Sequence, residues 1–480
     1  LNENNPNLKM KVYSLDDTIT AIATSLGESG IGIVRISGKD ALKIADRIFV
    51  SKIGKKPSEF KTYTIHYGWV VEDAQTIKKD PLPPKEFIDE AILTVMRTPY
   101  SYTREDVVEI NCHGGVIPLR KTLELVLKYG ARLAEPGEFT KRAFLNGRID
   151  LTQAEAVLEI VRAKTEASLK LSTNRLKGLL SKEFLKLREG ILNILVLLEA
   201  NIDFPEEEIG SLDKEKINKR LDGLIEKTDK LLKTYAYGRI FSEGIKVVIC
   251  GKPNVGKSSL LNALLKEERA IVTAIPGTTR DTLEEIIDIK GIPIRIVDTA
   301  GIIEPKDLIE KEAIKRTKRY IEEADLIILV FDGSKRLTKE DIFLIKKLKK
   351  KIVLPVINKI DLKQRIERKI IERYFNQILE ISAKRLKNID KLEEKIEYFV
   401  YNGKVELSPP EIVINLRQKE ILEKLKNHLK EAKKSLENNL SIEFISQDLK
   451  DGISYLDQLL GKSFNEQLLD RIFSQFCIGK

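Results

Sequence analysis

Residues 251–258, Gly-Lys-Pro-Asn-Val-Gly-Lys-Ser, follow the apolar run Ile245 to Cys250 and precede an apparent helix from Ser259 to Leu265. A strand, a glycine-rich loop closing on Lys-Ser and a helix form the order of a phosphate-binding P-loop. Backbone amides along Asn254, Val255 and Gly256, together with Lys257, suit β- and γ-phosphates, and Ser258, next to Ser259, offers a hard oxygen to Mg2+. Asp298-Thr299-Ala300-Gly301 ends the apolar run Ile292 to Val297, where a carboxylate can reach the metal and Gly301 can let the backbone approach a γ-phosphate. Asn358-Lys359-Ile360-Asp361 follows a further apolar run, Ile352 to Ile357. The Asp361 carboxylate can accept two hydrogens from guanine N1 and N2, a donor pattern adenine lacks, so the spacing predicts GTP rather than ATP. Ser382-Ala383-Lys384 completes the base pocket. Gly277-Thr278-Thr279-Arg280-Asp281 fits a first switch in which Thr279 gives Mg2+ its second protein oxygen.

The elements that must position these residues occupy the middle of a 480-residue chain, long enough for about three domains. An apolar fraction of 42% with 32% charged residues fits a soluble, globular protein. No apolar stretch approaches the 18 or so residues of a membrane span, and no charged segment followed by an apolar core marks the start, so a cytoplasmic location is expected. Leu1 in place of Met is read as a trimmed or non-standard start. Three separated cysteines, Cys112, Cys250 and Cys477, argue against a disulfide framework. The 83 basic and 73 acidic residues leave 83 − 73 = +10, which suits either a polyanionic partner or a solvated lysine-rich surface.

Residues 1–149 mix strand-like alternation, at Asp17 to Thr24, Ile31 to Ser37 and Lys61 to Val71, with helical periods at Ala41 to Phe49 and Val116 to Leu127. They are read as an α+β domain. Helical periodicity then fills residues 150–243, the nucleotide block spans 244–402, and helical periodicity returns over 403–480. Two helical segments without complete cores of their own, separated by a Ras-like α/β block, imply a GTPase domain inserted into an all-α domain.

The outer segments resemble the MnmE (TrmE) tRNA-modification GTPase family from end to end. The resemblance rests on Asp17-Thr18-Ile19 with Gly32-Ile33-Val34-Arg35-Ile36-Ser37-Gly38, and on Glu105-Asp106-Val107-Val108-Glu109 with His113-Gly114-Gly115. It also rests on Pro136-Gly137-Glu138-Phe139-Thr140, on Asp150 to Ala156, and on the closing Cys477-Ile478-Gly479-Lys480. It implies a first domain that binds 5-formyl- or methylene-tetrahydrofolate through Arg35, Glu109, Arg148 and Lys480 and holds a homodimer. It further implies a nucleotide lining extended by Thr273, Ala274, Ile275 and Pro276, and a K+ ion held by Asn254, Thr273, Ile275 and Thr278 when two GTPase domains meet.

The same resemblance gives Glu310 the water-orienting role that Ile302, directly after the Asp-Thr-Ala-Gly box, cannot fill. It also implies a flavin-dependent MnmG (GidA) partner, in a heterotetramer or larger complex, that supplies FAD and NADH. Together they would add an aminomethyl or carboxymethylaminomethyl group to C5 of the wobble uridine of certain tRNAs, with no membrane involved. No Rossmann glycine pattern occurs in this chain, consistent with a separate redox protein. Several residues keep two readings: Asn254 as an ion ligand or a cap of its own loop, and Cys477 as a catalytic thiol or an inert buried cysteine. Arg35, Glu109 and Arg148 can each be a ligand or a surface ion pair. A ribosome-assembly switch and a membrane-remodelling GTPase are the rival functions for a P-loop with an Asn-Lys-x-Asp box.

Overall fold

In the first strands, Val34 and Ile36 alternate with Ile33 and Arg35, and a period of two sends such residues to opposite faces of a sheet. The computed structural model describes residues 16–77, 84–203, 213–265, 284–298, 319–400 and 410–480. Among them, seven strands form one sheet: β1 (Ile19–Ile22), β2 (Ser29–Ser37), β3 (Phe49–Ser51), β4 (Thr64–Val70), β5 (Asp89–Met96), β6 (Val107–Gly114) and β7 (Arg132–Leu133). Their order is β3-β4-β5-β6-β2-β1-β7. Every pairing is antiparallel except β1 with β7. Helices α1 (Ala41–Ile48) and α2 (Val116–Lys128) place Ile44, Ile48, Leu119 and Val126 in one core with Val34, Ile36, Leu93 and Ile110. Gly32 permits that approach, because a Cβ there would lie 2.5 Å from the Leu119 side chain.

Arg35 and Glu109 are left on the opposite face. There α3 (Glu138–Leu145) buries Phe139 against Ile19 and Ala21, and α4 (Leu151–Arg162) joins α3 and the helix Glu466–Phe473 around Phe144, Leu151, Leu469 and Phe473. Leu1–Leu158 and Leu456–Lys480 thus make one compact unit, and Glu159–Tyr455 make the other.

The second unit begins with helices α5 (Glu166–Leu176), α6 (Leu179–Asp203), α7 (Lys214–Lys233) and α8 (Tyr235–Glu243), joined later by Leu416–Glu437 and Ile442–Leu460. Glycines let these helices interdigitate: a Cβ on Gly190 would meet Leu224 at 2.7 Å, and one on Gly452 would meet Leu425 at 3.2 Å. The helical periodicity read over 150–243 is divided into separate helices, with breaks where Gly178 adopts φ 80° and where Thr165 caps α5.

The second sheet contains β8 (Ile245–Cys250), β9 (Glu284–Ile289), β10 (Ile292–Asp298), β11 (Leu326–Asp332), β12 (Val353–Asn358) and β13 (Leu379–Glu380), in the order β13-β12-β11-β8-β10-β9. All pairs are parallel except the β9–β10 hairpin, whose turn places Lys290 and Gly291 at positive φ. Continuous apolar strands are what a parallel sheet covered on both faces requires. Val247 and Ile249 lie in one cluster with Ile296 and Leu354, and Val248 and Cys250 lie in another with Val297, Ile327 and Leu329. Among the described residues no helix is long and apolar enough to cross a membrane.

Candidate nucleotide-binding site

The loop after β8 opens helix α9 (Lys257–Leu265), which starts two residues earlier than its apolar period suggested and so takes Lys257 and Ser258 into its first turn. A phosphate cradle needs backbone shapes that side chains resist. Gly251 has φ 150° and Gly256 φ 99°; a Cβ on Gly256 would lie 2.3 Å from Asn358 Nδ2, and one on Gly251 2.5 Å from the Val330 carbonyl oxygen. Lys257 is buried, and its ammonium donates to the carbonyls of Gly251 and Lys252 at 3.0 and 2.8 Å, poised inside the loop. Ser258 and Ser259 are exposed on α9. Asn254 sits at φ 64°, and its side chain makes no hydrogen bond among the described residues.

The residues after β12 are tied directly to that loop. Asn358 Nδ2 donates to the Val255 carbonyl at 3.0 Å, while Asn358 Oδ1 accepts from the Ala383 and Lys359 amides at 3.0 and 2.8 Å. The Lys359 ammonium donates to the Asn254 carbonyl at 2.8 Å and pairs with Asp332 at 2.7 Å. Ser382 Oγ donates to Asp361 Oδ1 at 2.6 Å, and that bond holds the Asp361 carboxyl below its ordinary range. Asp361 is exposed, with one carboxylate oxygen fixed by Ser382.

Sequence reasoning passed over two members of this site. Burial pushes the Asp332 carboxyl up, but Lys359 and both the hydroxyl and amide of Ser334 outweigh burial and hold it below the usual range. A lone carboxylate at the end of an apolar strand, followed by Gly333-Ser334, was its only signal. Lys252, inside the P-loop, donates to Thr338 Oγ1 at 2.7 Å and Asp341 Oδ2 at 3.2 Å, the two groups that form the capping box of helix Lys339–Leu348. Asp298 ends β10, and its Cα is in register with Ile249 beside the loop. Thr273, Ala274, Ile275, Pro276, Gly277, Thr278, Thr279, Thr299, Ala300, Gly301 and Glu310 lie outside the described residues.

On the N-terminal sheet, Arg35 and Glu109 are cross-strand partners, with Arg35 Nε donating to Glu109 Oε1 at 2.7 Å. Arg35 also donates to the Gly479 carbonyl at 3.0 Å, which brings the Cys477–Lys480 tail onto the same face. The guanidinium of Arg35 stands 5.5 Å from the Phe139 ring and that of Arg148 4.7 Å from the Tyr102 ring. Burial pushes the Tyr102 phenol up, against the pull of Thr140, Arg148 and Arg35. Glu109 Oε2 has no partner among the described residues, so a carboxylate oxygen is left for an incoming donor. Cys477 is exposed, contrary to the buried reading of it, whereas Cys112 and Cys250 are buried and the Cys112 thiol is pushed up to about 11 by burial.

Two family models match: "GTP-binding protein TrmE N-terminus" over residues 18–148 and "MnmE helical domain" over residues 151–477. The tRNA modification GTPase MnmE of Clostridioides difficile (strain 630) is 47% identical over 97% of this chain and 100% of its own length. The chain belongs to the MnmE family. Another MnmE, from Desulforamulus reducens, is also 47% identical, over 97% of this chain and all of that one. A solved structure of Aquifex aeolicus Era bound to GDP.AlF4- is 30% identical over 38% of this chain and 66% of that chain, with a TM-score of 0.27. MnmE membership accounts for both sheets in one chain: a TrmE-type N-terminal sheet with its Arg35–Glu109 pair, and a second sheet whose loop after β8 is tied to Asn358.

Proposed function

We propose that this MnmE chain hydrolyses GTP as part of a tRNA-modification reaction. The observation that carries the reading is the clamp in which Asn358 and Lys359 hold the carbonyls of Val255 and Asn254, so that base recognition and phosphate binding share one rigid frame. Lys257 would leave its two loop carbonyls for the β- and γ-phosphates, and the exposed Asp361 would take the guanine N1 and N2 hydrogens. Ser258 is a hard-oxygen donor in the first turn of α9 and suits Mg2+, with Thr279 as its second protein ligand. When bound, Mg2+ would neutralise charge on the phosphate oxygens. The open Asn254 side chain suits a K+ ion that Thr273, Ile275 and Thr278 would also hold, and when bound that ion would supply the positive charge an arginine finger otherwise brings. Glu310 would orient water.

On the N-terminal unit, the unpartnered oxygen of Glu109 suits the parallel donors of a pterin, and Arg35, Arg148 and Lys480 suit the anionic and carbonyl groups of a tetrahydrofolate. Cys477 is the exposed thiol of that neighbourhood. The folate one-carbon unit would reach C5 of the wobble uridine in concert with a separate MnmG-type flavoprotein carrying FAD and NADH. A cytoplasmic homodimer, built through an N-terminal domain of 1–149, with helical parts at 150–243 and 403–480 around a GTPase insertion at 244–402, completes the proposal.

The test is GTP turnover across protein concentrations in KCl and in NaCl, with Asn254→Ala, Glu310→Ala and Asp361→Asn alongside. Turnover should rise with concentration only in KCl and fall by about 100-fold in the first two variants, the usual size for losing one transition-state-stabilising group. Asp361→Asn should exchange GTP preference for XTP, whose C2 oxygen suits an amide donor. Equal turnover in both salts at every concentration would remove the dimer-assembled mechanism.

A further inference from the structure

Helix Lys339–Leu348 buries Asp341, Ile345 and Leu348 against the GTPase sheet. Its outward side carries Lys339, Phe343, Lys346 and Lys347, at positions i, i+4, i+7 and i+8, with Lys350 just beyond its end. Phe343 is 64% exposed, and the Lys347 ammonium lies 6.0 Å from its ring centroid. Lys339, Lys346 and Lys350 make no ion pair among the described residues, and Glu340, the acid beside them, is not paired with them either.

On the other lysine-rich helices of the same unit some lysines, such as Lys216, Lys219, Lys424 and Lys430, are likewise unpaired among the described residues, and others are paired. On α7 and Leu416–Glu437, Lys230 pairs with Glu226, Lys419 with Glu423, Lys426 with Asp229 and Lys433 with Asp222. Complementing the helix dipole accounts for Lys346 and Lys347 in the last turn. It does not account for Lys339 in the first turn, where positive charge is disfavoured, nor for a large aromatic ring held in solvent between lysines.

Uncompensated cations around an exposed aromatic ring match the chemistry of unpaired nucleotides, whose phosphates attract lysine and whose bases stack on rings. We propose that this face of the GTPase domain binds an unpaired stretch of the tRNA, with Phe343 stacking on a base and Lys339, Lys346, Lys347 and Lys350 contacting phosphates. The assignment rests on the tRNA reading above. The Thr338 and Asp341 side chains that cap this helix also accept from the P-loop residue Lys252, so RNA on its outer face would press on an element joined to the phosphate loop.

The experiment is binding of a labelled tRNA transcript to the full chain across a KCl series, for the wild type, for Phe343→Leu, and for the triple variant Lys346→Gln, Lys347→Gln, Lys350→Gln. GTP turnover without RNA serves as the check that each variant is folded. The triple variant should weaken binding about tenfold or more near 0.1 M salt and lower the slope of log Kd against log salt by about two. Phe343→Leu should weaken binding about five- to tenfold with the slope unchanged, since stacking releases no counterions. Wild-type affinity and slope in both folded variants would overturn the assignment and leave the face to an acidic protein partner. A wild type that binds no tRNA at any salt would instead remove the tRNA reading, and this assignment with it.

Discussion

Lys359 does two jobs with one ammonium: it fixes the carbonyl of Asn254 in the phosphate loop and neutralises Asp332 at the end of β11. The Asn-Lys-x-Asp spacing made Lys359 and Asp361 legible in the sequence, because their chemistry is concentrated in four consecutive residues. Asp332 was not legible, since its partner is 27 positions away and only the parallel pairing of β11 with β12 brings them together. The pair has a pH signature. Asp332 titrates below its unfolded value, so its contribution is complete above about pH 4 and is lost as pH falls through the lower folded value. Asp332→Asn should therefore cost about 1.5–3 kcal/mol at pH 7, the scale of a hydrogen bond to a charged group, with the deficit vanishing in acid. Thermal-shift curves of both proteins from pH 7 to pH 3 check this, and a deficit that persists unchanged at pH 3 would refute it.

Among the elements, the buried parallel strands of the GTPase sheet were plain in the sequence, because β11 and β12 are continuous apolar runs and β8 and β10 are apolar runs interrupted only by Lys246 and Arg295. The helical breaks were harder, since apolar periodicity continues across Gly178 and Thr165 and only local capping shows where one helix stops. Helix α3 rests on something that periodicity cannot show at all. Its Arg142, 3% exposed, pairs with Asp17, with Glu105 at 3.0 Å and with Glu138 at 3.2 Å, and Arg132 pairs with Glu138 at 2.6 Å. Removing one member of such a cluster leaves buried charge without compensation. Arg142→Met should destabilise the N-terminal unit by about 3–5 kcal/mol. Urea unfolding followed at Trp69, the chain's single tryptophan and a member of that unit, reads the loss directly. An unchanged midpoint would show that water already compensates the cluster.

At the scale of the whole molecule, the two candidate sites belong to different compact units, and their chemistry should be separable. Glu109→Gln keeps the shape but loses the carboxylate, so 5-formyl-tetrahydrofolate affinity measured by calorimetry should fall at least about tenfold, the worth of a charge-assisted bond. GTP turnover without tRNA should stay at the wild-type level; loss of both would mean that Glu109 maintains the fold instead. A Cβ on Gly238 of α8 would lie 2.3 Å from the carbonyl oxygen of Ile414, so the point where the chain leaves the helices and the point where it returns are neighbours. Phe241, Val413 and Leu171 share one small cluster there, and the GTPase sheet has its own apolar layers on both faces. The arrangement is that of a cassette with both leads at one socket. A short linker from α8 to Val413 should splice the helices without the GTPase block, and the block could be exchanged for another whose ends lie as close together.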